Sequence, residues 1–389
     1  IGYYAGYTSQ GTNAVAFGFQ AGQTNQGTNA VAIGNQAGGF DQWVNAVAIG
    51  YQAGLTSQDS GAVAIGNVAG QYNQQDNAVG IGVNAGQFTQ AFGAVAIGRQ
   101  AGRTNQQNRS VAIGNLAAVG SQGGSAVAIG NSAAQFSQGN TAVAIGSLAG
   151  QSNQSLNAVA IGVNAARYGQ KNAATAIGNS AGFTGQGTQA VAIGIYAGRS
   201  NQGSSAIAIG EQAGSILQGY YAVAIGYQAG ATGQGSGAVS IGLRAGYSGQ
   251  GINAVAIGYQ AGLDNQRDNT VAIGYQAGLT SQSANTIIIK ATNTYLNSAT
   301  TDACYIAPIR TATTTGSLLM YNNSTLEVVK SSNTASGTSK TFVIDHPIDD
   351  NKYLVHACLE GPEAGVYYRG SGEIVNDKCV TVELPNYVK

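Results

Sequence analysis

The chain is dominated by a repeat whose period is sixteen residues and does not change over the first 289 positions. An apolar residue stands before a glycine at Ile1, at Phe17 and at every sixteenth position up to Ile273. The unit reads N-A-V-A-I-G-x-x-A-G-x-x-x-Q-x-x. Because one inserted residue would displace every later unit, this constant register predicts that each unit stacks on the one before it.

The segment Ala14-Val15-Ala16-Phe17 and its copies are short and rich in β-branched residues, and Asn and Gly bound them. This pattern is typical of a strand. A helix is the competing interpretation because alanine is frequent, but each glycine in a helix costs about 1 kcal/mol relative to Ala. Helical solenoids also need repeats of more than about thirty residues. The sequence therefore predicts an all-β fold, a parallel β-solenoid with one unit per coil.

Side chains alternate along a strand, so Val15 and Phe17 point to one side while Ala14 and Ala16 point to the other. Both sides are apolar in most units. We predict that Val and Ile fill the interior of the coil and that the alanines form an outer wall. Since soluble monomers rarely expose a long apolar stripe, we expect this wall to pack against sister chains, most simply around a three-fold axis.

A glutamine recurs at the same position in all eighteen units, from Gln10 to Gln282. A catalytic residue would not be repeated in this way. Stacked at strand spacing, each side-chain amide can donate to one neighbour and accept from the other, so we predict a structural ladder. The first eight predicted ladder positions are Gln10, Gln26, Gln42, Gln58, Gln74, Gln90, Gln106 and Gln122.

The motif N-A-V-A-I-G-x-x-A-G resembles the head repeat of trimeric autotransporter adhesins, and similar repeats occur in phage and giant-virus fibre proteins. The resemblance covers residues 1–289 and implies a left-handed β-roll assembled as a homotrimer. The adhesin repeat is usually near fourteen residues, whereas this one has sixteen, with the glutamine in the extended loop. Seventeen to eighteen coils spaced at ~4.8 Å form a rod of roughly 85 Å.

The composition changes after Lys290, since all four prolines, both histidines and all three cysteines lie beyond it. Nine basic and six acidic residues give +3 for residues 1–290, and seven basic and ten acidic residues give −3 for residues 291–389. We predict a β-roll shaft at 1–290, a neck and β-hairpin at 291–335, and a C-terminal β-rich tip domain at 336–389. The hairpin turn is expected at Asn322-Asn323.

The tip contains the residues with catalytic or metal-binding potential. His356 and Cys358 are two apart on a predicted strand and so share a face, as a Cys–His pair or a metal site needs. No recognised nucleophile or metal-ligand spacing surrounds them. We therefore expect packing and turn roles, no enzyme activity, no cofactor and no metal. The group comprises Asp345, His346, His356, Cys358, Glu360 and Glu363.

The stretch T-F-V-I-D-H-P-I-D and the later Y-L-V-H-A-C-L-E-G-P-E-A-G-V-Y-Y-R-G are similar to a terminal domain of phage and giant-virus fibre proteins. This similarity favours a virion tail fibre, which attaches to a cell-surface or glycan receptor as part of a larger virion or surface assembly. The expected location is the virion surface, or otherwise the extracellular or cell surface. The alternatives are a bacterial trimeric adhesin head and a ligand- or ice-binding β-solenoid.

Charge and hydropathy exclude two further classes. The net charge is zero, with sixteen basic and sixteen acidic residues, whereas a nucleic-acid-binding protein needs a clustered basic excess. No apolar run approaches the ~20 residues of a membrane-spanning helix. We expect neither a nucleic-acid partner nor a membrane span.

Overall fold

The computed structural model describes residues 1–309, 317–322, 325–334, 341–345 and 353–357. Within these ranges the chain contains strands and turns but no helix. It divides into two compact units, Ile1–Ile309 and Arg310–Lys389.

The first unit is a parallel β-solenoid in which each sixteen-residue repeat forms one coil, so the predicted fold class is confirmed. The Val-Ala-Ile segments form one long sheet, in which Val15 pairs with Val31 and every later strand pairs in the same register. The strands of this first sheet are Val15–Phe17, Val31–Ile33, Val47–Ile49, Val63–Ile65, Val79–Ile81, Val95–Ile97, Val111–Ile113, Val127–Ile129, Val143–Ile145, Val159–Ile161, Thr175–Ile177, Val191–Ile193, Ile207–Ile209, Val223–Ile225, Val239–Ile241, Val255–Ile257, Val271–Gly274, Ile287–Lys290 and Cys304–Ala307.

A second sheet is built from the polar residues that lead to each ladder glutamine, which the sequence analysis had placed in a loop. Thr8 pairs with Thr24 and Gln10 with Gln26, again in parallel. Isolated bridges such as Gln74 to Gln90 continue this sheet where strands are not formed. Its strands are Thr8–Gln10, Thr24–Gln26, Phe40–Gln42, Thr56–Gln58, Tyr72–Gln74, Ser121–Gln122, Ser137–Gln138, Ser152–Gln154, Tyr168–Gln170, Ser200–Gln202, Ile216–Gln218 and Thr232–Gln234.

The two faces of the Val-Ala-Ile strand are reversed relative to the prediction from sequence. Ala142, Ala144 and Ala149 have no exposed surface, and the same is true of almost all of their copies. Ile145, in contrast, is 36% exposed, and Val143 is partly exposed. The prediction of a Val/Ile interior and an outer alanine wall is therefore wrong.

The width of the coil explains this reversal. Sixteen residues that form two strands and the turns between them bring opposite walls into contact. A methyl group added to Gly102 would lie 3.2 Å from Cβ of Ala96 and 2.6 Å from Oε1 of Gln106. Alanines, a few Ser and Thr residues and one glutamine amide per coil thus fill the interior. Little space remains for larger aliphatic side chains in the column of Ala96 and Ala144.

One corner of each coil accommodates only glycine. Gly146 has a φ of 127°, and a Cβ atom there would lie 2.6 Å from the carbonyl oxygen of Gly162 in the next coil. This clash is with backbone, so it can be relieved only if the coils move apart. The close approach accounts for a glycine at this position in all eighteen units from Gly2 to Gly274.

The solenoid continues beyond the boundary predicted at residue 290. Cys304–Ala307 pairs in parallel with Ile287–Lys290, and Ile287 lies opposite Cys304, so the last spacing is seventeen residues. Ile288 is fully buried in a column that alanine occupies in most other coils, in a cluster against which Leu296 and Tyr305 pack. The first part of the predicted neck is therefore a final, wider coil.

The described residues of the second unit form two antiparallel strand pairs. Ser317–Asn322 pairs with Glu327–Thr334, and Thr341–Asp345 pairs with Tyr353–Ala357. The first pair lies in the segment predicted to hold a β-hairpin, but Asn322 of the predicted turn is the last residue of the first strand and pairs with Glu327. Asn323 and the residues after Ala357 lie outside the described residues.

Candidate functional site

The outer surface of the first sheet is the most continuous feature of the shaft. One column consists of Val143 and its copies, and the parallel column consists of Ile145 and its copies. Neither column contains a charged residue in the repeat region, and Thr175 is the one polar residue in it. In the Ile column, Phe17 is 53% exposed and Ile33 is 37% exposed. We call these two columns the outer Val/Ile face.

A second column of exposed apolar residues follows the corner glycine in the later coils. Tyr227, Leu243, Tyr259 and Tyr275 each follow an Ile of the face by two residues, and all four are exposed. The rings of Tyr259 and Tyr275 stack with their centres 5.2 Å apart. Single exposed apolar residues are ordinary on protein surfaces. An uninterrupted column of exposed apolar residues is unusual, and it marks a candidate interaction surface.

The ladder glutamines lie inside the coil and connect each coil to the next. Nε2 of Gln138 donates to Oε1 of Gln154 at 3.1 Å and lies 2.8 Å from the carbonyl oxygen of Val127. Its own Oε1 accepts from Nε2 of Gln122 at 3.1 Å. Since Gln138 is only 4% exposed, the amide is satisfied by protein groups and has no access to a ligand. Its role is structural.

Direct side-chain hydrogen bonds join every consecutive pair of the eight predicted ladder glutamines except one. The exception is Gln90 and Gln106, and Oε1 of Gln106 has no partner among the described residues. Farther along the ladder, Gln234 and Gln250 are connected through a serine. Oγ of Ser240 accepts from Gln234 and donates to Oε1 of Gln250 at 2.6 Å. The direct bonds join Gln10 to Gln26, Gln26 to Gln42, Gln42 to Gln58, Gln58 to Gln74, Gln74 to Gln90 and Gln106 to Gln122.

A buried lysine replaces the corner glycine at the end of the repeat. Lys290, which lies opposite Gly274, is only 3% exposed. Its Nζ donates to the carbonyl oxygens of Tyr275 at 2.7 Å and Thr292 at 2.9 Å, and lies 5.4 Å from the centre of the Tyr275 ring. Burial lowers the pKa of the Lys290 ammonium from its ordinary value. In the sequence, Lys290 marks only the predicted end of the shaft. A charged residue in the column of corner glycines also indicates that the corner of this coil differs from the others.

Two of the six candidate tip residues lie in the described strands. Asp345 is opposite Tyr353, and His356 is opposite Phe342, so the two are not register partners. His346, Cys358, Glu360 and Glu363 lie outside the described residues, and the proposed shared face of His356 and Cys358 stays a prediction. In the part of the chain that the structure describes, no three potential metal ligands come together.

Several aromatic residues that the sequence places in turns are exposed on the second sheet or beside it. The rings of Tyr72 and Phe88, which belong to consecutive coils, stack with centres 6.1 Å apart. Phe40 pairs with Thr24 and Thr56 in the column that begins at Thr8. Aromatic residues therefore interrupt this threonine column, and a regular threonine surface of the kind that an ice-binding solenoid needs is not formed.

Comparison with protein-family models, with curated proteins and with solved structures finds no match for this chain. The resemblance to adhesin and fibre repeats thus rests on the motif itself. None of the described residues belongs to a helix that is long and apolar enough to span a membrane.

Proposed function

We propose that the protein is a structural fibre or adhesin, in which a homotrimeric β-solenoid shaft presents the C-terminal unit to a surface or host cell. The observation that carries this proposal is the outer Val/Ile face, which is apolar in every coil of the shaft. A monomer would expose the whole of this face to water. The occupant that we infer is a second copy of the chain.

The repeat itself supports a sister chain as the partner. Side chains on the face recur once per coil, at a spacing of ~4.8 Å, so only a partner with the same period matches them along the whole shaft. A stripe three residues wide, ~10 Å, and roughly 85 Å long covers about 850 Å² per chain. Stable protein interfaces bury about 800 Å² per partner. The face is therefore large enough for a permanent assembly.

The three-fold arrangement and the biological setting come from the motif. The resemblance to adhesin heads favours a trimer, and the similarity of the C-terminal stretches to fibre proteins favours a virion tail fibre over a bacterial adhesin. Three tips on one shaft would bind a cell-surface or glycan receptor together, since linked weak contacts gain from a high effective concentration.

Paired charge substitutions test the interface. Ile145→Asp with Ile161→Asp places carboxylates on the outer Val/Ile face, whereas Ser137→Asp with Asn153→Asp places the same charges on the second sheet of neighbouring coils. We expect the first pair to convert the assembly to monomers in sedimentation velocity and the second pair to leave it intact. Equal effects of the two pairs would contradict the assignment of this face.

A further inference from the structure

Three cavities of the shaft lie along one groove that follows the second sheet and not the outer Val/Ile face. The largest, about 710 Å³, extends from Lys171 to Tyr220. Cavities of about 630 Å³ and 350 Å³ lie beside Arg267 and Trp43. Each is bounded by residues that immediately precede a ladder glutamine and by residues that follow it. The three cavities therefore occupy the same position in the repeat.

Three glycines in consecutive coils line the largest opening. Gly187, Gly203 and Gly219 follow three buried ladder glutamines and carry no side chain into the space. The same column continues as glycine at Gly235 and Gly251, and the large residues in it include Trp43, Lys171 and Arg267. The opening spans three coils, a distance of about 14 Å, which suits an extended chain rather than a single small molecule.

The walls of this opening present polar groups that the protein does not use. In residues 1–309, no hydrogen bond is made by the side chains of Thr188, Asn201, Ser204 or Tyr220. The matching asparagine of an earlier coil is paired, since Asn25 donates to Asp41 at 2.8 Å. These free hydroxyl and amide groups are available to a ligand.

The remaining lining defines the chemistry of that ligand. Tyr220 is 59% exposed and Leu217 56% exposed, so an apolar surface lies beside the polar groups. Lys171 is the one charged residue that lines this cavity, and it lies at the opposite end from Tyr220. Flat apolar surfaces with a few convergent polar groups bind ligands that have both apolar faces and hydroxyls. An ammonium group adds a charge-assisted bond to an acidic substituent.

We propose that this groove binds a linear acidic polysaccharide, with one sugar ring against Tyr220, hydroxyls on Asn201, Thr188 and Ser204, and an acidic substituent at Lys171. The groove does not include the outer Val/Ile face. Binding along the shaft is thus proposed at a surface other than the inferred trimer interface, and is additional to any attachment through the tip.

Calorimetric titration of the full chain with hyaluronan, heparin and polygalacturonate oligosaccharides, and with neutral dextran, tests this assignment. We expect at least one acidic chain to bind and dextran to bind more weakly. Tyr220→Ala should weaken binding about tenfold, which corresponds to about 1.4 kcal/mol. The matched variant Tyr221→Ala, which changes an exposed neighbour outside the cavity, should retain the affinity. Lys171→Gln should remove the preference for acidic chains.

A filled groove provides the second test. Ser204→Phe places a ring in the groove at a repeat position where Phe92 and Tyr220 already stand in other coils, so we expect a folded protein that no longer binds the oligosaccharide. The proposal is overturned if no acidic chain binds the wild type, if dextran binds equally well, or if Tyr221→Ala and Tyr220→Ala weaken binding to the same extent.

Discussion

The inner and outer faces of the Val-Ala-Ile strand are both apolar, and they differ in side-chain volume. In an ordinary one-sided sheet the large aliphatic residues face the core. Here Ala144 is fully buried, whereas Ile145 is 36% exposed. The comparison shows that backbone separation sets the interior volume of a short coil. The large apolar residues therefore lie on the outside of the coil, where we propose that a sister chain covers them.

The last coil supports this explanation. Where the spacing increases to seventeen residues, Ile288 is buried in the column that alanine occupies elsewhere. The size of the side chain that is buried in this column therefore depends on the width of the coil, and not only on the alternation of side chains along the strand.

The largest effect is expected at the corner that holds the coils in contact. Gly146→Ala introduces a Cβ 2.6 Å from the carbonyl oxygen of Gly162 and forces an alanine to adopt a φ of 127°. We expect the free energy of unfolding to fall by about 4 kcal/mol or more, measured by urea denaturation. Gly124→Ala is the control, because the nearest atom to its added methyl is 3.7 Å away. Similar losses in both variants would refute a fixed coil spacing.

The next effect concerns the polar part of the interior. Gln138→Leu removes the donor to Oε1 of Gln154 and to the carbonyl oxygen of Val127 in a buried column, while Nε2 of Gln122 keeps its bond to Val111. We expect a loss of about 2–4 kcal/mol in unfolding free energy. Gln10→Leu, at an exposed position of the same ladder, should cost far less. Thermal and urea unfolding of the two variants would show whether burial determines the difference.

A smaller effect directly separates the inner face from the outer face. Ala144→Ile overfills a coil of ordinary width, and we expect a loss of about 1–3 kcal/mol. Val143→Ile adds volume on the outer side of the same strand, where Ile207 already stands in the equivalent position, and should be tolerated. A stable Ala144→Ile variant with an unstable Val143→Ile variant would reverse our assignment of the faces.

The smallest effect is a pH dependence at the terminal coil. Burial lowers the pKa of Lys290 in the folded chain, while the unfolded chain retains the ordinary value of 10.5. Between the two values the unfolded state binds more protons, so the free energy of unfolding should rise with pH in that window and be constant below it. Urea titrations in this alkaline range should show the rise, and Lys290→Met should remove it.

Part of this architecture follows from the sequence alone. The unbroken sixteen-residue register is sufficient to predict a parallel solenoid and the stacking of Gln10 on Gln26. The direction of the faces could not be predicted, because a period of two identifies two apolar faces without revealing the space available to each. The second sheet was missed since segments such as Thr24–Gln26 have no strand-like composition and pair only because their copies stack.

The groove could not be predicted from the repeat pattern either. Tyr220 and Lys171 are forty-nine positions apart in the sequence, and only the coil geometry brings them to the same cavity. The final coil was missed because its spacing changes by one residue.

The most direct test of the central claim is the solution mass of the unmodified chain by light scattering. If the outer Val/Ile face packs against sister chains as proposed, the mass should be three times 39.0 kDa. A stable monomer of 39.0 kDa would contradict the account, because the entire outer Val/Ile face would then be exposed to water.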